Sequence, residues 1–234
     1  MDADLASLVE EQKAYYRARA PEYEDWWQRT GPYAADSETS AAWFPEVEAL
    51  EGWVFDLAPF GRTLEPACGT GLWTRHLASH SEPVLAVDAS PETIAINRAR
   101  VDVSRVDYLE ANLFALEPLG RFDTVFMGFW LSHVPKKLWD GFWNFVRRCL
   151  APGGRAIFVD TYEISSKWQH KLVAGPTGDR VDYRSLGGVS GAGEWRVVKH
   201  RFDADIVKGW IGRTGFKAEA ATTGRFFVRG VARP

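Results

Sequence analysis

From Arg62 to Asp160 the chain alternates short β-like runs with helical segments: RTLEPA, a helix from Leu72, PVLAVDA, a helix from Pro91, VDYLEA, FDTVFMGF, a helix over about 136–150, and GRAIFVD. Apolar runs bounded by turn residues and separated by helical periodicity predict parallel strands joined by crossover helices, a doubly wound α/β sheet. Beyond residue 160 the pattern changes. Residues 161–200 read as irregular with one strand at EWRVVKHRF, DADIVKGWIGRTGF reads as a helix closed by Gly215, and KAEAAT with RFFVRGVA reads as a hairpin that adds an antiparallel strand.

Upstream of the alternation, apolar residues at helical spacing predict a helix over about 4–19, a second short one over 21–29 after the break at Pro21, and a third from Pro45 to about Leu57. The turn-rich stretch GGVSGAG, 187–193, reads as loose. A length of 234 residues with 46% apolar composition suits one domain over 1–234, with 1–58 as a helical cap and 161–200 as an inserted lid.

A net charge of −3, with both signs mixed along the chain, offers no continuous basic field, so neither nucleic acid nor an anionic membrane is expected as a partner; a small molecule is. Cys68 and Cys149 stand apart from each other and from any metal-ligand spacing, so neither a disulfide framework nor a metal site is expected. His76 and His80 share a helix face but lack a third ligand and read as surface residues. The acidic start MDADLASLVEEQ has no basic and apolar leader pattern, which makes the cytoplasm the expected compartment, and a monomer or homodimer the expected state.

The turn LEPACGTGLW follows the first β-like run. A strand, a GxG turn and a helix make the crevice in which nucleotide-like ligands bind, but the third glycine of a dinucleotide fingerprint is missing after Gly69 and Gly71, and no Walker pattern is present. A carboxylate at Glu65 repels a pyrophosphate and suits an ammonium or sulfonium. Asp88 closes the second run, 17 residues after Gly71, where a carboxylate accepts from both hydroxyls of a ribose. Asn112 supplies an amide oxygen for an adenine amino group beside apolar Leu113 and Phe114. A cationic nucleoside of this description is S-adenosylmethionine.

The stretches LEPACGTG, VLAVDAS, EANLF, FDTVFMGFWLSHVP and LAPGGRAIFVD stand in the order of the motifs of class I S-adenosylmethionine-dependent methyltransferases, and over about residues 60–160 the chain resembles that family. The resemblance implies a seven-stranded, mostly parallel Rossmann-like sheet with an antiparallel last strand. It also implies cofactor contacts from Ala67, Gly69, Gly71, Trp73, Ala89, Met127 and Phe129 beside Glu65, Asp88 and the 112–114 stretch; many members carry Asp where this chain has Asn112. YYRARAPEYE, TGLWTRHL and FWLSHVP further resemble small bacterial O-methyltransferases of natural-product and sugar pathways. In these, N-terminal helices cover the cofactor, which makes Tyr15, Tyr16, Arg19 and Tyr23 candidate contacts.

Methyl transfer to a hydroxyl needs alignment, exclusion of water and removal of a proton. His133, just past the fourth run, is the candidate base, and the resemblance puts a histidine there in several small-molecule enzymes. Asp160, Trp26, Trp27 and Trp130 are candidates for the acceptor side, and Arg180, Tyr183 and Arg184 in the lid are candidates to clamp an anionic or polyhydroxylated acceptor. The expected activity is methyl transfer to a hydroxyl of a small polar metabolite such as a sugar or a phosphonate. N-methylation of a small molecule and a non-catalytic cofactor-binding regulator are the alternatives, and an NAD-dependent oxidoreductase is disfavoured by the incomplete fingerprint.

Overall fold

A computed structural model of the chain describes residues 1–162, 172–175, 177–186 and 194–234. Helix α1 (Ala3–Arg19) begins where Asp2 accepts from the Leu5 N–H, and Pro21 falls in a 3-10 turn that leads into α2 (Tyr23–Gln28). The third helix, α3 (Ser37–Asp56), starts eight residues earlier than the sequence suggests: Asp36 accepts from the Thr39 N–H as its N-cap, and Pro45 lies inside the helix rather than opening it. An interior proline costs about 3 kcal/mol, more than the roughly 0.5–2 kcal/mol of the cap, so burial of Trp43, Leu50 and Val54 carries the helix through it.

The alternation then unfolds as β1 (Gly61–Pro66), α4 (Thr74–His80), β2 (Ser81–Asp88), α5 (Pro91–Arg100), β3 (Val106–Glu110), β4 (Phe122–Gly128), α6 (Lys136–Cys149) and β5 (Leu150–Thr161). Residues read as irregular with one strand instead form a three-stranded antiparallel sheet, β6 (Leu172–Ala174), β7 (Arg180–Arg184) and β8 (Trp195–Val198). Strand β6 and strand β7 were hidden because their pairing is with each other and β8, not with the main sheet, and their runs are short. GGVSGAG, 187–193, lies outside the described residues. Helix α7 (Ala204–Arg213), capped by Asp203, and the hairpin β9 (Lys217–Thr222) and β10 (Phe227–Arg233) follow as expected.

The central sheet has the order β3-β2-β1-β4-β5-β10-β9, with β1 to β5 parallel and β10 antiparallel to both neighbours. The order reverses beside β1, so the carboxyl ends of β1, β2 and β4 open a crevice at the switch point. One apolar layer packs Trp139, Trp143 and Val146 of α6 with Ile211 of α7 against the sheet; the other packs Trp43, Leu50 and Val54 of α3 with Leu77 of α4. Helix α1 lies outside these layers, joining Leu8 to Val181 and Val198 of the small sheet and Glu11 to Arg196. Helix α1 and the small sheet thereby close one side of the crevice. No helix among the described residues is long and apolar enough to cross a membrane.

Candidate cofactor and acceptor site

The turn after β1 is built from backbone that few residues adopt: Ala67, Gly69 and Gly71 all have positive φ, at 56°, 53° and 95°. Beneath it lies the fully buried Asn97 of α5, whose amide donates to Gly69 O (3.2 Å) and Thr74 Oγ1 (2.8 Å) while its oxygen accepts from the Tyr108 hydroxyl (2.8 Å). A Cβ on Gly71 would stand 2.7 Å from the Asn97 oxygen, so this glycine is required by packing as well as by φ. Thr74 occupies the place of the missing third glycine and ties the helix start to Asn97. Nothing in the sequence singled out Asn97, because its partners converge on it from three separate segments.

The turn forms one wall of a cleft with about 830 Å³ of empty space, open mouth included. Of the expected residues, Tyr16, Tyr23, Ala67, Gly69, Asp88, Ala89, Asn112, Leu113, Phe114, Phe129, Trp130 and His133 line it. Asp88 accepts from the Gly69 N–H and the Ser90 N–H, both at 2.9 Å, which fixes its carboxylate while leaving lone pairs for two ribose hydroxyls. Burial pushes its pKa up, and these backbone donors oppose the shift. Phe114 and Trp130 stack with centroids 5.5 Å apart, an apolar wall suited to a flat base. The oxygen of Asn112 accepts from the Phe114 N–H at 3.1 Å and retains a second lone pair. This donor set fits an adenosyl group.

Several expected contacts lie behind the cleft wall instead. Glu65 is 2% exposed, with one carboxylate oxygen unpartnered, and burial pushes its pKa up to about 8. Trp73 is buried against Gly128, where a Cβ would meet its ring at 2.3 Å, and Met127 is fully buried in the core. Trp26 and Trp27 pack on Phe129 with Trp43 and Phe227; they support the wall rather than meet an acceptor, because edge-to-face pairing among these rings fills the space under α2. Along β7 the side chains alternate. Tyr183 joins the Leu8 cluster under α1 and Arg180 is exposed, so neither reaches the site, whereas Arg184 reaches the hydroxyl of Tyr16 and pairs with Asp182.

Around His133 the chain assembles a buried polar cluster. The Nδ1 of His133 lies 2.6 Å from the carbonyl of Val198; a carbonyl only accepts, so Nδ1 carries the proton. Burial, then the charges of Lys199 and Arg184, hold its pKa well below 6.5, so the ring is neutral and Nε2 presents a lone pair, which accepts from the Tyr16 hydroxyl at 2.8 Å. Arg184 donates from Nη1 to the same hydroxyl at 3.4 Å and from Nε to Asp182 at 2.7 Å, and its guanidinium lies over the Tyr15 ring. Arg19 is buried among Tyr15, Tyr23 and Tyr33 with its Nε unpartnered. Lys199, 6% exposed, donates to Ser132 Oγ at 2.6 Å and Thr161 Oγ1 at 2.7 Å and lies 3.5 Å from Asp160; burial lowers its pKa to about 8. Asp160 also accepts from the Ser132 N–H at 2.8 Å, so it anchors the His133 turn from below rather than lining the cleft. Lys199 and Ser132 escaped sequence reading because the lid folds back onto the β4 turn, a contact no local pattern encodes.

The family pattern described as a methyltransferase domain matches residues 63–154. Ubiquinone biosynthesis O-methyltransferase of Xanthomonas axonopodis pv. citri (strain 306) is 31% identical over 144 residues, which cover 58% of this chain and 55% of that protein. The chain thus spans about half the length of the curated relatives it matches. The solved DhpI–SAM–HEP complex is 30% identical, with 97% of this chain and 98% of that one covered and a TM-score of 0.75. The 1,6-didemethyltoxoflavin-N1-methyltransferase of Burkholderia thailandensis shares the fold at 16% identity, a TM-score of 0.63, and coverage of 100% of this chain and 92% of that one. With the glycine turn, the Asp88 acceptor and the 3-2-1-4-5 run of parallel strands ending on an antiparallel hairpin, the chain belongs to the class I S-adenosylmethionine-dependent methyltransferases.

Proposed function

We propose that this chain methylates a hydroxyl oxygen of a small metabolite that also carries an anionic group such as a phosphonate, phosphate or carboxylate. The observation that carries this reading is the gathering of buried Arg19 and Lys199 with half-buried Arg184 around the neutral His133 and Tyr16, with Asp160 and Asp182 as the carboxylates among them. Buried cations in excess of their counterions are costly, and an acceptor anion supplies the missing charge. DhpI, with SAM and HEP bound, is the relative that supports a small acceptor in a cleft of this design.

The bound cofactor would supply an electrophilic methyl on a sulfonium, with sulfur as the leaving group. Asp88 would hold the ribose end and the Phe114–Trp130 wall the base. Tyr16 accepts the acceptor's hydroxyl proton as it passes its own to His133 Nε2, so the oxygen gains nucleophilicity while one proton moves along two hydrogen bonds. Arg184 orients Tyr16 and attracts the acceptor anion. That anion also offsets the charges that depress His133, so the base becomes competent when the right acceptor is bound.

The test is transfer of a labelled methyl group to hydroxyalkyl phosphonates, hydroxy acids, sugar phosphates and neutral sugars, followed by location of the label. Label on the oxygen of an anionic hydroxyl compound is expected. Label on nitrogen, or a preference for neutral sugars, would overturn the reading.

A further inference from the structure

Gln12 of α1 is 4% exposed, and both ends of its amide are engaged on main chain from different parts of the fold. Its Nε2 donates to the His133 carbonyl at 3.1 Å, and its Oε1 accepts from the Val198 N–H at 3.0 Å. In a strand the N–H and C=O of one residue point to the same edge. The free edge of β8 at Val198 therefore offers both groups together: the N–H goes to Gln12 and the C=O receives Nδ1–H of His133 at 2.6 Å. Three residues more than a hundred positions apart at their extremes, Gln12, His133 and Val198, thus close a ring of hydrogen bonds in which each donates once and accepts once.

We infer that Gln12 is the positioning residue that fixes His133 as its Nδ1–H tautomer, by tying the His133 backbone to the Val198 edge of β8. The inference rests on the reading of His133 as the proton acceptor, which requires a free lone pair on Nε2. The orientation of the amide is dictated by its partners: reversed, it would set an NH2 against the Val198 N–H and an oxygen against the His133 carbonyl. The remaining contacts of β8 to the same turn do not choose a tautomer. His200 N–H donates to Ser132 O at 2.8 Å and Lys199 to Ser132 Oγ, so β8 stays docked when Gln12 is lost, but neither contact touches the imidazole. The ring of three does. Without the Gln12 staple the His133 backbone loses its tie to that edge, while the bond from the Lys199 N–H to Arg180 O (3.0 Å) keeps the Val198 carbonyl in place; the imidazole can then move off that carbonyl, and the Nε2–H tautomer, which donates to the Tyr16 oxygen and accepts nothing, becomes accessible.

The test uses the full chain labelled with nitrogen-15 histidine, and the variants Gln12→Met and Gln12→Glu, with the His133 signals assigned by their loss in His133→Asn. Gln12→Met keeps the length and removes both hydrogen bonds; Gln12→Glu keeps the acceptor for the Val198 N–H and removes only the donor to His133 O, and is read in the same way if the first variant does not fold. The parent is expected to show a single neutral Nδ1–H tautomer, and the variant a mixture with Nε2–H. A loss of kcat of about tenfold or more, with KM for S-adenosylmethionine unchanged, is expected alongside, as for other sites in which a general base is left in the wrong tautomer. Unchanged nitrogen shifts in the folded variant overturn the inference whatever the rate. Mixed tautomers with an unchanged kcat uphold the positioning role and overturn His133 as the base, so the two failures are distinguishable.

Discussion

The hydroxyl of Tyr16 lies 2.8 Å from Nε2 of His133, across a junction between the first helix and the turn after the fourth strand of the central sheet. The two residues are 117 positions apart, and the contact exists because α1 packs on the small sheet and that sheet packs on the His133 turn. Helix α1 therefore does more than line the cleft. It brings a phenol to the one imidazole nitrogen left free to accept a proton.

Replacement of His133 by Gln should lower kcat by about a hundredfold to ten-thousandfold, the usual worth of a general base, while calorimetry finds S-adenosylmethionine affinity unchanged. The pH dependence carries a sign. With its pKa held well below 6.5, His133 stays neutral as pH falls past the ordinary histidine range, so the acid limb of kcat/KM should lie below 6.5. An acceptor anion beside Arg184 and Lys199 raises the histidine, and the acid limb of kcat should sit at higher pH than that of kcat/KM. A single limb shared by both profiles counts against the anion.

The sheet was legible because its strands and crossover helices are each encoded locally: VLAVDAS closes on Asp88, and an N-cap Ser90 followed by Pro91 opens the next helix. The cofactor wall was legible for the same reason, since Gly69, Asp88 and Asn112 each sit at the end of a predicted strand. The acceptor side was not. Arg184 was found but its role as a partner of Tyr16 was not, and Lys199, Gln12 and Ser132 carry no local signal, because their hydrogen bonds span 28 to 186 positions. The tryptophan pair at 26 and 27 misled for the converse reason: a cluster of large aromatic residues looks the same in sequence whether it lines a cleft or fills a core.

Asp88 makes two claims that separate by substitution. Its carboxylate both anchors the glycine turn, through the Gly69 and Ser90 N–H groups, and faces the cleft. Asp88→Asn retains one acceptor oxygen and should weaken S-adenosylmethionine binding by about 1–3 kcal/mol, the range for a lost charge-assisted hydrogen bond. Thermal unfolding in the absence of cofactor should move far less than in Asp88→Ala, which leaves both backbone donors unpaired. Equal affinity in a folded Asp88→Asn variant would remove the ribose assignment.

Glu65 should make stability fall with pH across neutrality. Its pKa in the fold, about 8, exceeds the ordinary 4.5, so the fold binds the proton more tightly than the unfolded chain does. The stabilisation is full below about 4.5 and is lost as pH rises through about 8. Glu65→Gln, a neutral mimic of the protonated group, should lose that part of the slope and become the more stable of the two at high pH. Melting curves of parent and variant that run parallel from about pH 5 to pH 9 would show that Glu65 does not titrate as its burial requires.

Arg184 tests the anionic acceptor most directly, provided its structural duty is separated first. Arg184→Ala would strand Asp182, which is 6% exposed, without its cation, and breaking a buried pair by removing one partner costs about 3–5 kcal/mol. The informative variant is therefore Arg184→Met with Asp182→Asn, which removes both charges together. Cofactor affinity should persist, because the Asp88 and Asn112 contacts are on the opposite wall. With an anionic acceptor, kcat/KM should fall by about 10- to 100-fold, the loss of one charge-assisted contact of roughly 1.5–3 kcal/mol, whereas a neutral analogue should lose only what Tyr16 loses in orientation. Arg184→Lys in the parent background keeps the charge near Asp182 but cannot hold Asp182 and the Tyr16 hydroxyl with one planar fork, so it should recover part of the rate and not all of it. If the charge-free pair methylates anionic and neutral acceptors with the same relative efficiency as the parent, the acceptor's anion lies elsewhere, and Lys199 and Arg19 become the groups to substitute next.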